Sequence, residues 1–140
     1  MTQPLAGIRV ADFSHVMAGP YASHLLRLMG AEVIKIEPKG GDTFRNYGAD
    51  RRYDGMAPAF IAANAGKKSI ALDLKDPADL GVVKALIARS DALIEGFRPG
   101  VMERLGLGPD VARALRPALV YGRVTGCLLY TSSSFGERPT

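Results

Sequence analysis

The sequence predicts an α/β protein, a Rossmann-like layered fold with a mostly parallel sheet. Short apolar runs rich in β-branched residues alternate along the chain with segments of helical periodicity. Prolines or capping residues open the helical segments, and glycines close several of them. A chain of 140 residues with 47% apolar and 23% charged residues is typical of one soluble domain with its own core.

The first three elements form a β-α-β unit. Gly7–Ser14 is an apolar run that predicts a buried strand. Pro20 fits the first turn of a helix, and Gly30 ends that helix. The apolar residues at helical spacing between them are Tyr21, Leu25, Leu28 and Met29. Ala31–Glu37 follows as a second strand, so a right-handed crossover and parallel strands are expected.

The middle of the chain begins with a long segment without periodicity. Lys39–Pro58 is glycine-rich and polar, which predicts a surface loop. Pro58–Gly66 predicts a short helix and Lys68–Leu74 a third strand. Asp76 before a proline is a strong helix start. The apolar stripe of that helix is Leu80, Val83, Leu86 and Ile87.

The last predicted elements are short. Asp91–Phe97 is a fourth strand, Arg98–Gly106 and Gly108–Leu115 are two short helices, and Ala118–Gly126 is a fifth strand. The residues after Gly126 have no helical stripe and end on a serine-rich polar piece. The predicted five-stranded sheet is complete without these residues.

Ligands of open α/β sheets bind beyond the carboxyl ends of the strands, where four loops of this chain converge. These loops, and the turn after the last of them, carry His15, Lys39, Lys75, Arg98 and Arg104. Helix N-termini add amide donors and partial positive charge. We therefore expect a ligand that carries phosphate.

Several other ligands and sites fit the sequence less well. Glu37 stands where a dinucleotide site places an acidic residue on the ribose, but the glycine fingerprint is missing. The net charge of +4 is dispersed without interleaved aromatics, which argues against nucleic acid. No metal-ligand spacing and no catalytic constellation occur. No apolar run is long enough for a membrane span, and the start is unlike a secretory signal. With the single Cys127, this predicts a cytoplasmic protein.

Each candidate residue also has a purely structural interpretation. His15 could bond a backbone carbonyl, Met17 could fill a gap under its loop, and Phe97 could belong to the core. Arg104 could form a surface ion pair with Glu103. Asp12 and Asp73 could simply bond loop amides at the ends of strands.

Three motifs in order resemble the class III CoA-transferases, the formyl-CoA and carnitine CoA-transferase type. They are "LAGIRVADFSHVMAGPYASHLLRLMGAEVIKIE", "NAGKKSIALDLKDP" and "LIEGFRPGVMERLGLG", and the resemblance covers roughly Leu5–Gly126. The same superfamily contains the α-methylacyl-CoA racemases, which the third motif also resembles. A non-catalytic nucleotide-binding module is the alternative from another class.

The resemblance implies that coenzyme A or an acyl-CoA is the substrate, with no tightly bound cofactor. The positions that match the family's CoA contacts are His15, Met17, Ala18, Lys39, Leu72, Asp73, Leu74, Lys75, Gly96, Phe97, Arg98 and Arg104. The chain departs from the family's pattern at three positions. Met17 stands where many transferases have glutamine, and Gly96 stands where asparagine is frequent. Pro38 stands where a basic residue is common, with the adjacent Lys39 as its substitute.

The resemblance also implies an aspartate nucleophile and an aspartyl-CoA intermediate for a transferase, with a carboxylic acid as CoA acceptor. The nucleophile would lie downstream of "VTG", so no catalytic residue is expected within this sequence, and the 140-residue chain alone should be inactive. We expect residues 1–126 to be the N-terminal CoA-binding part of the family's large domain and residues 127–140 to be a non-native or disordered tail. The full-length family implies an interlocked homodimer, without nucleic acid or membrane partners.

Overall fold

A single parallel sheet organises the protein, as the computed structural model shows for residues 3–48 and 50–126. Its strands are β1 (Arg9–Phe13), β2 (Glu32–Glu37), β3 (Lys68–Ala71), β4 (Ala92–Glu95) and β5 (Val120–Arg123). They lie in the order β3-β2-β1-β4-β5, and every neighbouring pair is parallel. The predicted α/β fold with a parallel sheet is confirmed, although each strand is shorter than the apolar run that predicted it.

Helices connect the strands. They are α1 (Ala18–Leu28), α2 (Pro58–Asn64), α3 (Pro77–Ala88), α4 (Val101–Arg104) and α5 (Pro109–Leu115). The segment predicted to be an irregular loop, residues 39–58, contains two short 3-10 helices at Thr43–Asn46 and Arg51–Tyr53. The side chains of Asp42 and Asp50 start them by accepting the Phe44 and Arg52 amides. Capping by aspartate orders this segment without any hydrophobic period.

One face of the sheet is apolar in its interior, and its charged residues, such as Glu95 and Arg123, lie at the ends of the strands. Ala11, Phe13 and Leu93 are fully buried there. Val83 and Ile87 of α3 pack into the same cluster, with Leu80 and Leu86 beside them. The stripe predicted for this helix is therefore confirmed. α5 and α4 complete the layer with Ala112 and Met102.

The opposite face changes character along the strands. Val10 and Val33 are neighbours in the β1–β2 register and form an apolar cluster near the amino ends of the strands. Two residues further on, the register pairs Asp12 with Lys35, and both are buried. Because side chains of a strand alternate between faces, these two charges lie on the same side as Val10 and Val33. The carboxyl end of this face is thus charged.

Helix α1 covers this face with its small and polar residues. The helix begins at Ala18, two residues before Pro20, and buries Gly19, Pro20 and Ser23. Tyr21, Leu25, Leu28 and Met29, the residues whose spacing indicated the helix, are exposed. Helical periodicity located the helix correctly, but the apolar residues that show this periodicity lie on its exposed face.

Within residues 3–48 and 50–126, no helix has the length and apolarity needed to cross a bilayer. The predicted tail, residues 127–140, lies outside the described residues.

Candidate functional site

A cleft of about 520 Å³ opens at the carboxyl ends of the strands. The sheet order reverses between β1 and β4, because β2 lies on one side of β1 and β4 on the other. Ligands of open α/β sheets bind at such a switch point. The loops after β1 and β4 meet there: the rings of His15 and Phe97 make an edge-to-face contact with centroids 5.2 Å apart.

The cleft gathers residues from several distant parts of the chain. Predicted site residues that line it are His15, Lys39, Leu72, Asp73, Leu74, Lys75 and Phe97. Its remaining lining includes Phe13, Ile36, Val101 and Leu105. Apolar side chains therefore form most of the wall, and the charged groups stand at the end formed by the loops after β2 and β3. Phe97 also packs against the apolar core, as its structural interpretation predicted.

The other predicted site residues lie beside the cleft. Gly96 and Arg98 line a second, smaller hollow of about 220 Å³ together with Val124 and Thr125. Met17 and Ala18 are exposed at the start of α1. Met17 is 42% exposed, so the expectation that it fills a gap is wrong. Arg104 is exposed on α4, between the lining residues Val101 and Leu105.

The structure also differs from the surface ion pair that was expected between Arg104 and Glu103. Glu103 forms its ion pair with Arg123 at the end of β5, and Arg123 also lies 3.0 Å from Glu95. Burial raises the pKa of Glu95 above its ordinary value. These contacts tie α4 to the ends of β4 and β5 and support the loop that carries Phe97.

The rim of the cleft is less positive than its lysines alone indicate. Lys39 Nζ lies 3.1 Å from the carboxylate of Asp79. Asp79 also accepts the Asp73 amide at 2.8 Å, while Asp73 accepts the Lys75 amide at 3.0 Å. The expectation that Asp73 bonds loop amides is confirmed for the Lys75 amide. Since the Lys39–Asp79 pair is exposed, an incoming anion can exchange with it at little cost.

Glu37, the candidate for a ribose contact, has no oxygen left for a ligand. One carboxylate oxygen accepts from Arg45 and Ser69, and the other accepts from Arg45 and the Asp42 amide. Burial alone would raise the pKa of Glu37, but these donors outweigh it and lower the pKa to about 2. The geometry argues against a dinucleotide held in the usual way.

A buried charge network, formed by Asp12, Lys35, Asp42 and Lys67, lies directly beneath the loop after β1. All of these side chains are at most 2% exposed. Lys35 Nζ lies 3.0 Å from Asp42 and donates to the Ser14 carbonyl at 2.7 Å. Lys67 Nζ lies 3.0 Å from Asp12. The network pairs each positive charge with a negative one, which is what makes its burial tolerable.

Its Asp12–Lys67 half fastens α1 and α2 to β1. Asp12 accepts from the Ser14 amide and hydroxyl and from the Ser23 hydroxyl, so the expectation that it bonds loop amides is confirmed. Lys67 donates to the Pro20 carbonyl and to the Asn64 side chain. Burial would raise the pKa of Asp12, but Lys67 and the serine donors lower it; burial lowers the pKa of Lys67.

Sequence reasoning missed this network as a functional feature. The signal was present in β1 and β2, where Asp12, Lys35 and Glu37 interrupt apolar runs that are flanked by predicted helices. Strands of a parallel sheet are buried on both faces, so a charged residue within one needs a buried partner. Lys67 and Asp42 come from loops, and their pairing had no signal in sequence spacing.

His15 stands between the network and the cleft. Its described ring contacts are Phe97 and the Asp42 carboxylate, whose oxygen lies 3.9 Å from Nδ1, rather than a backbone carbonyl. Burial, followed by the charge of Lys35, lowers the pKa of His15. The ring is therefore mostly neutral at pH 7 and can donate or accept a hydrogen bond toward the cleft.

The fold and site define an α/β protein whose switch point holds a largely apolar cleft with lysines at one end, and comparison with known proteins identifies its family. Residues 5–131 match the model of CoA-transferase family III, so the chain belongs to this family. The resemblance inferred from the three motifs is thereby confirmed.

Individual relatives agree with this assignment. The chain is 45% identical over 125 residues to the succinyl-CoA–L-malate CoA-transferase alpha subunit of Chloroflexus aurantiacus, covering 88% of this chain and 29% of the relative. It is 41% identical over 129 residues to the succinate–glutarate CoA-transferase of Agrobacterium fabrum, covering 88% and 32%. The crystal structure of a CaiB/BaiF family protein from Brucella suis superposes with a TM-score of 0.84 at 34% identity, covering 90% of this chain and 34% of that one. The chain thus spans about a third of the length of these relatives.

Proposed function

We propose that residues 1–126 form the N-terminal CoA-binding part of an enzyme that moves CoA between an acyl-CoA thioester and a carboxylic acid. The observation that carries this proposal is the cleft at the switch point, which combines a largely apolar wall with lysines at one end. Coenzyme A has the same division, since it joins an adenine base to several phosphate groups.

In this proposal the base lies against apolar residues and the phosphates meet the charged end. Leu72, Leu74, Val101 and Leu105 offer a surface for a flat ring. Lys39 and Lys75 neutralise phosphate, and Lys39 leaves Asp79 to do so. The N–H groups of the first turn of α1, near Ala18, add donors that have no partner within a helix.

The reaction itself needs a group that the described residues do not supply. In an aspartyl-CoA route, a carboxylate attacks the thioester carbonyl and releases CoA thiolate, leaving an acyl-aspartyl anhydride. The thiolate then attacks the aspartyl carbonyl, which releases the carboxylic acid and forms the aspartyl thioester. Asp12 and Asp42 are buried and fully engaged, so neither can be this nucleophile. We place it in the part of the longer relatives that this chain does not span.

Transferase function is favoured over α-methylacyl-CoA racemisation because the relatives described above are named CoA-transferases. The proposed homodimer depends on the family resemblance, and the proposed cytoplasmic location depends on the sequence features and the single cysteine described above. The alternative, a non-catalytic nucleotide-binding module, would use the same cleft but would catalyse no reaction. Expression of the native gene from its parent genome separates these functions, because only the transferase produces a new acyl-CoA from a supplied carboxylic acid.

The binding part of the proposal is tested by calorimetric titration of the 140-residue chain with CoA, comparing Ala18→Asp with Arg113→Ala. A carboxylate at the start of α1 suits the helix dipole, so Ala18→Asp should keep the melting temperature at least at its original value. The same charge repels phosphate, so CoA affinity should fall by about tenfold or more.

Arg113→Ala is the control, because Arg113 is exposed on α5, away from the cleft. It should bind CoA as the original chain does. Affinity should also fall as salt is raised, because phosphate contacts are screened. Undiminished CoA binding by a folded Ala18→Asp protein would contradict the proposed binding mode, and no binding by the original chain would refute the function proposed for this part.

A further inference from the structure

The backbone at Val16 takes an unusual conformation in the first loop, which we define as Ser14–Met17. Its φ angle is +64°, in the left-handed region that a β-branched residue rarely adopts. The Val16 side chain is exposed, so its packing does not explain this conformation. Such strain persists only where surrounding contacts fix the backbone, and it concentrates at ligand sites.

The contact that fixes this backbone comes from another part of the chain. The Val16 amide donates to the Asp42 carboxylate, at 3.2 Å from one oxygen and 3.5 Å from the other. Asp42 follows β2 and is fully buried. One of its oxygens also accepts the Phe44 amide at 3.0 Å, which starts the 3-10 helix Thr43–Asn46. Asp42 therefore joins the first loop to the segment after β2.

Lys35 contacts both the first loop and Asp42. Its ammonium lies 3.0 Å from Asp42 and donates to the Ser14 carbonyl at 2.7 Å. The loop is thus anchored at two successive places, at the Ser14 carbonyl by Lys35 and at the Val16 amide by Asp42. His15, between these anchors, faces the cleft, and α1 begins two residues after Val16.

From this geometry we infer that Asp42 and Lys35 are positioning residues that hold the first loop in its ligand-binding shape before CoA arrives. The inference rests on the proposed CoA-binding function. Neither side chain lines the cleft, so neither touches the ligand. They act through the loop: they set where the His15 ring and the first amides of α1 stand relative to each other. A loop ordered in advance loses little conformational entropy on binding.

The protein offers a matched control for Asp42. Asp50 starts the other 3-10 helix, and its carboxylate accepts the Arg52 amide at 2.9 Å just as Asp42 accepts the Phe44 amide. The described contacts of the Asp50 side chain are with Arg52 and do not reach the first loop. Asp50→Asn therefore measures the effect of altering an aspartate cap by itself.

The test variant is the double substitution Asp42→Asn with Lys35→Met. Asparagine retains an oxygen for the Phe44 amide but turns an NH₂ group toward the Val16 amide, which removes the nearer of that amide's two acceptor oxygens. Methionine removes the ammonium that would otherwise remain buried without a counter-charge. The melting temperature should therefore recover most of what Asp42→Asn alone loses.

Two measurements decide the inference. Hydrogen exchange of the Val16 amide, followed by NMR, should be at least about tenfold faster in the double variant than in the original chain or Asp50→Asn. The dissociation constant for CoA should rise about tenfold in the double variant and stay within twofold in Asp50→Asn.

A purely structural role predicts that CoA affinity returns together with the melting temperature, and that result would overturn the inference. A Val16 amide that remains protected in the double variant would overturn it as well, because the loop then has another anchor. Failure of the original chain to bind CoA would instead refute the proposed function, while the Val16 exchange rate would still decide whether Asp42 and Lys35 fix the loop.

Discussion

The two faces of the sheet stabilise the same strands in different ways. Under α3 and α5, the sheet contributes mainly apolar side chains, such as Ala11, Phe13 and Leu93. Under α1, the carboxyl ends of β1 and β2 contribute Asp12 and Lys35, which pair with side chains from loops. The first face is held by shape and apolar area, and the second by specific hydrogen bonds.

The two kinds of contact have different effects: apolar contacts mainly stabilise the fold, whereas buried ion pairs also fix the positions of the elements that they join. Apolar contacts are not directional, so they tolerate small shifts of the elements that they join. A buried ion pair tolerates neither a missing partner nor a displaced one. The charged face lies beneath the first loop of the cleft, where a displacement would matter most for a ligand. Substitutions on the two faces should therefore differ in what they change as well as in how much.

The largest effect is expected for Lys67→Met on the charged face. The change leaves the Asp12 carboxylate buried without its counter-charge, which should lower the free energy of unfolding by about 3–5 kcal/mol. Urea denaturation measures this loss. Adding Asp12→Asn should restore much of it, because the uncompensated charge is then gone.

The neighbouring Lys68→Met is the control for this experiment. Lys68 pairs with Glu32, and its side chain is 70% exposed, so its removal should change the unfolding free energy little. Equal effects of the two adjacent lysine substitutions would remove the distinction between the buried charge network and an ordinary surface pair.

A smaller effect is expected for Ile87→Val on the apolar face. Ile87 is fully buried in the cluster that joins α3 to the sheet. Losing one methylene there should cost about 0.5–1.5 kcal/mol of unfolding free energy. CoA affinity should stay within twofold at a temperature where the protein is folded. A tenfold loss of affinity would mean that the apolar face also positions the cleft.

The last comparison concerns Glu37, whose contribution to stability is present at neutral pH and is lost in acid. Because Arg45, Ser69 and the Asp42 amide lower the pKa of Glu37 to about 2, the unfolded chain binds its proton first as the pH falls. Its contribution to stability is complete above about pH 4.5 and is lost between there and pH 2. The melting temperature of Glu37→Gln should depend less on pH over that interval. Identical slopes in the two proteins would assign the acid sensitivity to other carboxylates.

The sequence predicted most of the fold because the relevant signals are local. Apolar runs identified all five strands of the sheet, and Asp76 with Pro77 located the start of α3. Strand ends were overestimated because apolar residues such as Leu72 and Phe97 continue beyond the last residue of each strand to line the cleft. The apolar residues whose spacing indicated α1 are exposed, since periodicity locates a helix but does not reveal which face it will bury.

Less of the candidate site than of the fold could be predicted from the sequence. Residues on loops that follow strands could be assigned to one edge, and His15, Lys39 and Lys75 do meet there. The pairing of Lys39 with Asp79, and of Asp42 with Lys35 and Val16, depends on how loops cross over the sheet. No periodicity encodes such contacts, so the structure was needed to find them.

The reversal of strand order between β1 and β4 has a consequence for how the protein acquires its site. The His15–Phe97 contact joins residues that lie far apart in the sequence, so the cleft closes only after β4 has docked beside β1. Contacts of such long range form slowly, because much chain must be ordered before they do. A ligand that touches both loops therefore recognises only the completed fold and shifts the folding equilibrium by mass action. Ligand-induced thermal stabilisation would then report how many molecules in a preparation have finished folding.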